Sequence, residues 1–478
     1  MHKILFVTPE AQPLIKTGGL GDVAGSLPKA LAALGHDVKV LLPRYQALKT
    51  QGEVRFLCSL RVDNRNVNML ETRLPDSRAS VWLVDYPAYF NYPGNPYVDE
   101  RGTAWPDNAE RFALLCKVAV EIALNRGYLD WQPDIVHCND WQTGLVPALL
   151  ALESRRPATL FTIHNLAYQG LFPASTAALL KLPGQLLKPE GLEFHGRLSF
   201  IKGGLVYADR ITTVSPTYAR EIQTPAFGYG LEGLLRHRQA VLTGILNGID
   251  LEQWNPDTDR FIAQPFNAAS LTKKPINKAA LQARLGLPLN ASIPLFGMIS
   301  RLVEQKGIDL VLDCLPQLLK LPLQLAVLGS GDKGLERQLA EFAGAHPEQL
   351  AVVMGYDEAL AHLIEAGADS FLMPSRFEPC GLNQMYSQRY GTVPLVRNTG
   401  GLADTVADAL PGTLADNTAT GIVFNEAAPG ALLEAVKRAL ILYSQPDLWR
   451  KLQASAMRKD FSWQHSAQQY LALYQSIL

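Results

Sequence analysis

The sequence contains Thr17-Gly18-Gly19-Leu20-Gly21-Asp22 near its start and repeats this motif as Thr399-Gly400-Gly401-Leu402-Ala403-Asp404 near its end. Each copy follows an apolar run and precedes a helix-like stretch, and Lys16 adds a cation to the first copy. Paired glycines at a strand-to-helix turn let the backbone come close to a ligand, and a helix N-terminus attracts an anion. The repeat therefore predicts two similar halves that face one phosphorylated ligand. A chance similarity between two structural turns is the alternative.

Short apolar runs alternate with amphipathic segments along the chain, as is typical of an α/β protein with parallel sheets. Two helices are predicted at residues 23–34 and 108–126. The turn-rich segment 247–264 predicts an inter-domain connection, with the boundary near residues 244–262. Strands are predicted at 4–8, 38–42, 81–84, 135–137, 160–163 and 210–214, then at 294–299, 323–328, 351–354, 370–373, 392–396 and 421–424.

The composition excludes several classes of protein. A chain of 478 residues needs two or three domains, and its 47% hydrophobic and 19% charged content is typical of a well-buried enzyme. The net charge of −1, spread evenly, does not indicate a nucleic acid or an anionic membrane as partner. Five scattered cysteines without Cys-x-x-Cys spacing argue against a disulfide framework or a zinc site. Without a predicted signal peptide or membrane span, we expect a soluble cytoplasmic protein.

Polar residues follow two apolar runs of the second half. Arg301 and Lys306 come after the strand predicted at 294–299, and a planar donor fork with a point charge suits a diphosphate. Glu378 and Gly381 follow the strand predicted at 370–373, which puts a carboxylate beside backbone N–H groups at a helix start. A carboxylate suits sugar hydroxyls, and N–H groups suit a phosphate. An ordinary solvated loop and a helix-capping turn are the alternatives.

Two strands of the first half also end in polar residues. Asp140 follows the strand predicted at 135–137, and His164 follows the one predicted at 160–163. Parallel strands place their carboxyl ends at one edge of a sheet, so both side chains are expected at a ligand cleft. A structural histidine and a helix-capping aspartate are the alternatives.

Two further motifs point elsewhere. Residues 329–334, Gly-Ser-Gly-Asp-Lys-Gly, match the dinucleotide fingerprint, but the next predicted strand ends without an acidic ribose-binding residue. This match alone supports a nicotinamide-dependent oxidoreductase, which stays an alternative. Asp257-Thr258-Asp259 has the spacing of a divalent-metal site but no evident third ligand, so we interpret it as turn chemistry.

The motifs together resemble those of the bacterial glycogen synthase and plant starch synthase family. The resemblance covers nearly the whole chain and implies a retaining glycosyltransferase of the GT-B fold, with two Rossmann-like domains that face each other across a deep inter-domain cleft. It implies an N-terminal acceptor-side domain at 1–244, joined by a C-terminal helix at 460–478, and a nucleotide-sugar domain at 245–459. The matching stretches are Lys16-Thr17-Gly18-Gly19-Leu20, His164-Asn165-Leu166-Ala167-Tyr168-Gln169-Gly170, Val214-Ser215-Pro216-Thr217-Tyr218-Ala219, Asn247-Gly248-Ile249-Asp250, Ser300-Arg301-Leu302 with Lys306-Gly307, Glu378-Pro379-Cys380-Gly381-Leu382 and Thr399-Gly400-Gly401-Leu402.

The resemblance implies transfer of glucose from ADP-glucose to the non-reducing end of an α-1,4-glucan such as glycogen, with release of ADP. It implies that Arg301 and Lys306 hold the diphosphate and that Glu378 binds hydroxyls of the donor sugar. It also implies that Tyr356 stacks on adenine and that Asp140, His164 and Asn247 complete the glucose pocket. The resemblance also implies that Lys16 and the Gly18-Gly19 turn approach the phosphate and the sugar. Backbone groups of Cys380, Gly381 and Leu382 are implied beside them.

Two residues depart from the family pattern. Gln142 stands where many relatives have histidine, and Asn383 replaces the usual threonine. An aromatic-rich loop with Tyr89, Tyr92, Tyr97 and Trp105 is either a glucan contact or ordinary surface packing.

The sequence predicts that cations and helix N-termini stabilise the leaving diphosphate without a metal or another cofactor. Front-side attack is the mechanistic hypothesis, and a covalent intermediate is its alternative. A non-catalytic glucan- or nucleotide-binding protein is a further functional alternative. The oligomeric state stays open.

Overall fold

A computed structural model describes residues 1–127 and 129–478. The backbone forms two compact units. One consists of Met1–Gly248 with Trp463–Leu478, and the other of Ile249–Ser462. Each unit contains a mostly or wholly parallel sheet, so the predicted α/β class is confirmed.

The first unit is built on a large sheet and a small one. In the described part of this unit the large sheet has the order β12-β11-β7-β6-β1-β2-β5-β4-β3, parallel except for the last two strands, and the small antiparallel sheet has the order β8-β10-β9. The parallel order reverses between β1 and β6. The strands are β1 Lys3–Val7, β2 Asp37–Pro43, β3 Arg55–Val62, β4 Arg65–Arg73, β5 Ser80–Asp85, β6 Ile135–Asn139, β7 Ala158–Ile163, β8 Leu171–Pro173, β9 Glu193–Phe194, β10 Arg197–Ser199, β11 Arg210–Thr213 and β12 Leu242–Gly244.

Helices connect these strands. The first, α1, begins directly at the Gly-Gly motif, and α3 ends three residues before the predicted end because Asn125 takes a left-handed conformation at φ 55°. The helices are α1 Gly19–Ala33, α2 Pro87–Phe90, α3 Asn108–Ala123, α4 Leu145–Leu150, α5 Thr176–Leu179, α6 Phe200–Tyr207, α7 Pro216–Glu221 and α8 Glu232–His237, with 3-10 turns at Trp141–Thr143, Gly184–Leu186 and Gln239–Val241.

The second unit has a fully parallel sheet in the order β15-β14-β13-β16-β17-β18. This is the Rossmann order, with its reversal between β13 and β16. Its apolar strands pack against helices in a buried hydrophobic core. The strands are β13 Leu295–Ile299, β14 Gln324–Gly329, β15 Leu350–Met354, β16 Ser370–Met373, β17 Val393–Arg397 and β18 Ile422–Phe424. The helices are α9 Lys274–Leu285, α10 Ile308–Leu318, α11 Lys333–Ala345, α12 Glu358–Gly367, α13 Asn383–Arg389, α14 Gly400–Thr405, α15 Pro411–Ala415, α16 Pro429–Tyr443 and α17 Pro446–Met457, with 3-10 turns at Ala268–Lys273 and Glu304–Lys306.

The last helix, α18 (Trp463–Gln475), belongs to the first unit and packs against α1. Tyr474 brings its hydroxyl within 2.7 Å of His137 Nδ1, and the Tyr470 ring lies 5.5 Å from the His137 ring. All three side chains are fully buried. The end of the chain therefore completes the core beside β6.

The segment after residue 248 is anchored to the second unit. Trp254 stacks between His362 and Tyr386, each ring 3.9 Å away. Asp259 is buried and accepts hydrogen bonds from His362 Nδ1 at 2.7 Å and from the Tyr390 hydroxyl at 2.5 Å. The motif at Asp257-Thr258-Asp259 predicts only a turn. In the structure, Asp259 also binds the segment after residue 248 to side chains of His362 and Tyr390.

Candidate active site

In the second unit, the candidate site lies where the strand order reverses. Loops after β13 and β16 carry the predicted residues, and ligands of open α/β sheets bind at such reversals. Lys306 Nζ lies 2.5 Å from Glu378 Oε2, and Ser375 Oγ donates to the same oxygen at 3.1 Å. Arg301 is exposed, with Nη2 3.4 Å from Gln305 Oε1. The structure therefore brings Lys306 and Glu378 together and leaves the Arg301 guanidinium open to solvent.

The two loops are held to each other by backbone contacts. Arg376 N donates to Gln305 O at 2.8 Å, and a side chain on Gly307 would meet Pro374 O at 2.1 Å. Asn383 Nδ2 donates to Ile299 O at 2.7 Å, where β13 ends. The side-chain amide of Asn383, which replaces the usual threonine of the family, therefore joins the start of α13 to the end of β13.

The two Gly-Gly motifs have different surroundings. A Cβ at Gly400 would lie 1.9 Å from Glu378 O, and one at Gly401 would lie 2.1 Å from Cys380 O. Around Gly18 and Gly19, by contrast, no described atom beyond the adjacent residues and the backbone of the same helix lies within 4 Å of such a Cβ. The second motif therefore supports the loop that carries Glu378, whereas the first has open space beside it.

The loop from Glu378 to α13 contains three of the predicted donor residues. Cys380 is buried, and Leu382 is partly buried before the helix starts. Gly381 has φ +73°, and a Cβ there would lie 2.5 Å from Gln384 Oε1, so the turn requires glycine. Tyr356 lies beyond the end of β15 and is 76% exposed. Its ring surface is available for stacking on a planar ligand.

In the first unit, a buried carboxylate organises the first Gly-Gly motif. Glu10 Oε2 accepts from Thr17 N at 2.5 Å and Gly18 N at 3.2 Å, while Oε1 accepts from the Tyr97 hydroxyl at 3.0 Å. Burial raises the pKa of Glu10. Sequence reasoning missed this residue, although Pro9-Glu10 directly after a strand is a signal that a search of strand ends finds.

Lys16 forms an ion pair beside this turn. Its Nζ lies 2.7 Å from Asp22 Oδ1, and its side chain is 44% exposed. Burial raises the pKa of Asp22. Lys16 thus has one anionic partner in the chain and enough exposure to meet a second from a ligand.

Asp140 and His164 meet at the carboxyl ends of the neighbouring strands β6 and β7, beside the reversal of strand order between β1 and β6. Asp140 has φ +57°, and its Oδ1 accepts from His164 N at 2.7 Å and Asn165 N at 3.4 Å. Burial raises the pKa of Asp140 to about 7 and lowers the pKa of His164 to about 3. Near neutral pH the imidazole is therefore uncharged and the carboxyl is partly protonated.

The hydrogen bonds of Asn139 fix the tautomer of His164. Asn139 Nδ2 donates to Val7 O at 3.0 Å, so the atom 3.0 Å from His164 Nε2 is the acceptor Oδ1. Nε2 must then carry the proton, which leaves Nδ1 as an acceptor in the neutral ring.

Asn247 is also buried in the first unit. Its Oδ1 is shielded from solvent and has no hydrogen-bond partner among the described residues. A buried amide oxygen without a partner is costly, and a ligand hydroxyl can satisfy it.

A cavity lined by aromatic residues lies beside Asp140. Its volume is about 490 Å³, and Trp141, which directly follows Asp140, forms part of its wall. Tyr168 and Tyr229 line it and are 50% and 41% exposed. The remaining lining residues are Ala104, Asn108, Ala167, Gln169, Gly170, Leu171 and Phe172. Exposed aromatic rings along a groove provide flat surfaces for sugar rings.

The predicted aromatic loop is bound to the first unit itself. Its rings hydrogen-bond within the chain in four pairs: Tyr97 to Glu10, Trp105 to Asn95 O, Tyr92 to Asp107 and Arg65 to Tyr89. These contacts favour the packing alternative for Tyr89, Tyr92 and Trp105.

Comparisons with known proteins identify the family. A model of the starch synthase catalytic domain matches residues 3–237, and one of the glycosyl transferases group 1 matches residues 284–452. The chain is 59% identical over 476 residues to glycogen synthase 1 of Methylococcus capsulatus, covering 100% of this chain and 97% of the relative. It is 55% identical to the glycogen synthase of Cellvibrio japonicus, with both chains fully covered. The chain belongs to the glycogen synthase and starch synthase family.

Solved structures agree with this family. The catalytic domain of starch synthase IV from Arabidopsis thaliana, bound to ADP and acarbose, matches with a TM-score of 0.90 and 34% identity over 99% of both chains. Sucrose-phosphate synthase from Thermosynechococcus elongatus matches in fold alone, with a TM-score of 0.60 and 18% identity. The chain is thus a glycosyltransferase with the GT-B fold, as the sequence predicts.

The glycines of the dinucleotide-like motif at residues 329–334 have a packing role in the structure. A Cβ on Gly329 would lie 1.9 Å from Ser300 O, and one on Gly331 would lie 2.4 Å from Leu302 O. These glycines therefore let α11 and its turn pack against the loop after β13.

No described helix combines the length and apolar composition needed to cross a bilayer.

Proposed function

We propose that this glycosyltransferase transfers glucose from ADP-glucose to the non-reducing end of an α-1,4-glucan, with retention of configuration and release of ADP. The observation that carries the proposal is the contact between Lys306 and Glu378 beside the exposed Arg301. A pair of cations near a carboxylate supports the proposal, because cations suit a diphosphate and a carboxylate suits sugar hydroxyls. Relatives over the full length of the chain carry the name glycogen synthase.

On the donor side, Arg301 and Lys306 bind the diphosphate and Glu378 binds the glucose hydroxyls. Tyr356 stacks on adenine, and backbone groups of Cys380, Gly381 and Leu382 lie beside the sugar and the phosphate. These two cations oppose the charge that develops on ADP as it leaves, so we propose that neither a metal nor another cofactor is required.

From the first unit, Lys16 and the Gly18-Gly19 turn approach the phosphate and the sugar of the donor. Asp140, His164 and Asn247 complete the glucose pocket. The neutral His164 accepts a hydrogen bond from a sugar hydroxyl at Nδ1, and Asn247 Oδ1 accepts another. The aromatic cavity beside Trp141 binds the glucan chain, because aromatic faces stack on sugar rings without a charge requirement.

We propose front-side attack as the chemical step. The bond from glucose C1 to the phosphate oxygen breaks with its electron pair on ADP, and the acceptor O4 bonds to C1 on the same face. The acceptor proton passes to the departing phosphate oxygen. One oxygen of each of the two carboxylates already accepts hydrogen bonds: Glu378 Oε2 from Lys306 and Ser375, and Asp140 Oδ1 from two backbone N–H groups. A trapped glucosyl-enzyme at either carboxylate would contradict this step.

The test is a donor comparison with glycogen as primer and labelled glucose in ADP-glucose or UDP-glucose. We expect incorporation from ADP-glucose that falls about 10²- to 10³-fold in Lys306→Ala. Lys333→Ala is the matched control, because Lys333 pairs with Glu336 at 2.7 Å and is 84% exposed. Absence of incorporation from either donor would favour a non-catalytic binding protein. A calorimetric signal with NAD or NADP would revive the oxidoreductase alternative.

We further propose that the enzyme acts in the cytoplasm. All five cysteines are free thiols and four of them are buried, which suits a reducing compartment. Fractionation of cells, with a tagged chain followed by immunoblot, tests this location.

A further inference from the structure

Arg397 holds the loop that carries the donor carboxylate. It is the last residue of β17, and its guanidinium donates to three backbone carbonyls. Nε lies 2.8 Å from Ser375 O, Nη1 lies 3.1 Å from Asn425 O, and Nη2 donates to Arg376 O. A planar fork with five N–H donors can satisfy three carbonyls at once, which an ammonium group cannot do in the same geometry.

Ser375 links Arg397 to Glu378. We call the three hydrogen bonds from Arg397 to backbone carbonyls the clamp. Its side chain is buried, and its hydroxyl donates to Glu378 Oε2 at 3.1 Å. The same oxygen receives Lys306 Nζ at 2.5 Å. The position of the Ser375 backbone therefore determines one of the two hydrogen bonds that orient the Glu378 oxygen.

We infer that Arg397 is a positioning residue for recognition of the donor glucose. It acts through Ser375 on Glu378 and has no direct role in binding the diphosphate. This inference rests on the proposed function, because it assigns the glucose hydroxyls to Glu378. Loss of the clamp lets Ser375 shift, and a misplacement of about 1 Å at a reacting group lowers the rate about a hundredfold.

The inference predicts a difference between two ligands. ADP contains the diphosphate but no glucose, so its affinity depends on Glu378 only through the ion pair that Glu378 forms with Lys306. Replacing Arg397 should lower kcat/KM for ADP-glucose about tenfold to a hundredfold and change the Kd of ADP less than about threefold. A direct contact between Arg397 and the diphosphate would instead weaken ADP binding to a similar extent.

The experiment compares Arg397→Lys and Arg397→Ala with Arg438→Lys in the full-length enzyme. Arg438 is a matched control, because it also binds carbonyl and carboxylate oxygens in the second unit, at 3.1 Å from Val423 O and 2.8 Å from Asp408 Oδ1. Glucose transfer gives kcat/KM, and calorimetry gives the Kd of ADP. Millimolar guanidinium should restore part of the activity of Arg397→Ala, because it can occupy the vacated fork.

Ser375→Ala keeps the test decisive if the Arg397 variants do not fold. It removes one hydroxyl and should lower kcat/KM for ADP-glucose about tenfold, with the Kd of ADP unchanged. An unaltered kcat/KM in this variant, or Arg397 variants that behave like Arg438→Lys, would overturn the inference. An inactive wild-type enzyme would overturn the proposed function instead, so the two failures are distinct.

Discussion

Replacing Asp140 with asparagine should remove a stability cost that grows with pH. The side chain is 8% exposed, and burial raises its pKa from 3.8 to about 7. Folding thus favours the protonated carboxyl, and the folded state loses stability as pH rises from the lower value to the higher one. Three pKa units correspond to about 4 kcal/mol in total, at 1.36 kcal/mol per unit. Asparagine keeps an acceptor for His164 N but does not ionise.

The assay is thermal unfolding of the wild type and Asp140→Asn across a range of pH. Between about pH 5 and about pH 8.5, linkage gives the variant a relative gain of about 2.5 kcal/mol. That gain corresponds to roughly 5 °C or more in the Tm of the transition that contains the first unit. The exposed Asp134 supplies the control Asp134→Asn, which makes the same substitution at the surface of the first unit. A difference in Tm between Asp140→Asn and the wild type that stays constant over this range would refute the reasoning.

Three further predictions concern single side chains. Lys306→Ala should lower kcat by about 10²- to 10³-fold because a cation at the leaving group is lost, and unchanged transfer kinetics in a folded variant would remove that role. Gly401→Ala should lower the free energy of unfolding by about 1–3 kcal/mol, because the new Cβ meets Cys380 O. Gly18→Ala should change the free energy of unfolding by less than about 0.5 kcal/mol and should raise KM for ADP-glucose. Equal Tm values for these two variants would contradict the packing difference. Trp254→Ala should cost about 3–5 kcal/mol through loss of its two stacked neighbours, and urea unfolding that matches the wild type would argue against that anchor.

The fold was predictable wherever a strand is an apolar run. The strand at residues 370–373 has the predicted bounds, because buried parallel strands are apolar on both faces. The hairpin of β3 and β4 was missed because its strands alternate between buried and exposed residues at the edge of the sheet. Asp63 and Asn64, both with positive φ, form its turn, and that pair is the signal that reveals the hairpin.

The candidate site was predictable where charged residues directly follow an apolar strand in the sequence. Lys306 and Glu378 follow adjacent strands, so strand order alone brings them together. Glu10 was missed because its hydroxyl partner, Tyr97, is 87 residues away and belongs to no recognisable motif. Arg397 was missed for a similar reason, since its partners are carbonyl groups that any residue can supply.

The contact between Tyr474 and His137 has a consequence for how the protein is made. The first 248 residues emerge from the ribosome long before Trp463–Leu478 are translated, although both segments belong to the same compact unit. Until then, the nascent chain exposes the apolar groove that α18 later fills, and chaperones can bind it there. A premature stop after residue 462 would therefore harm the earlier-made half of the polypeptide.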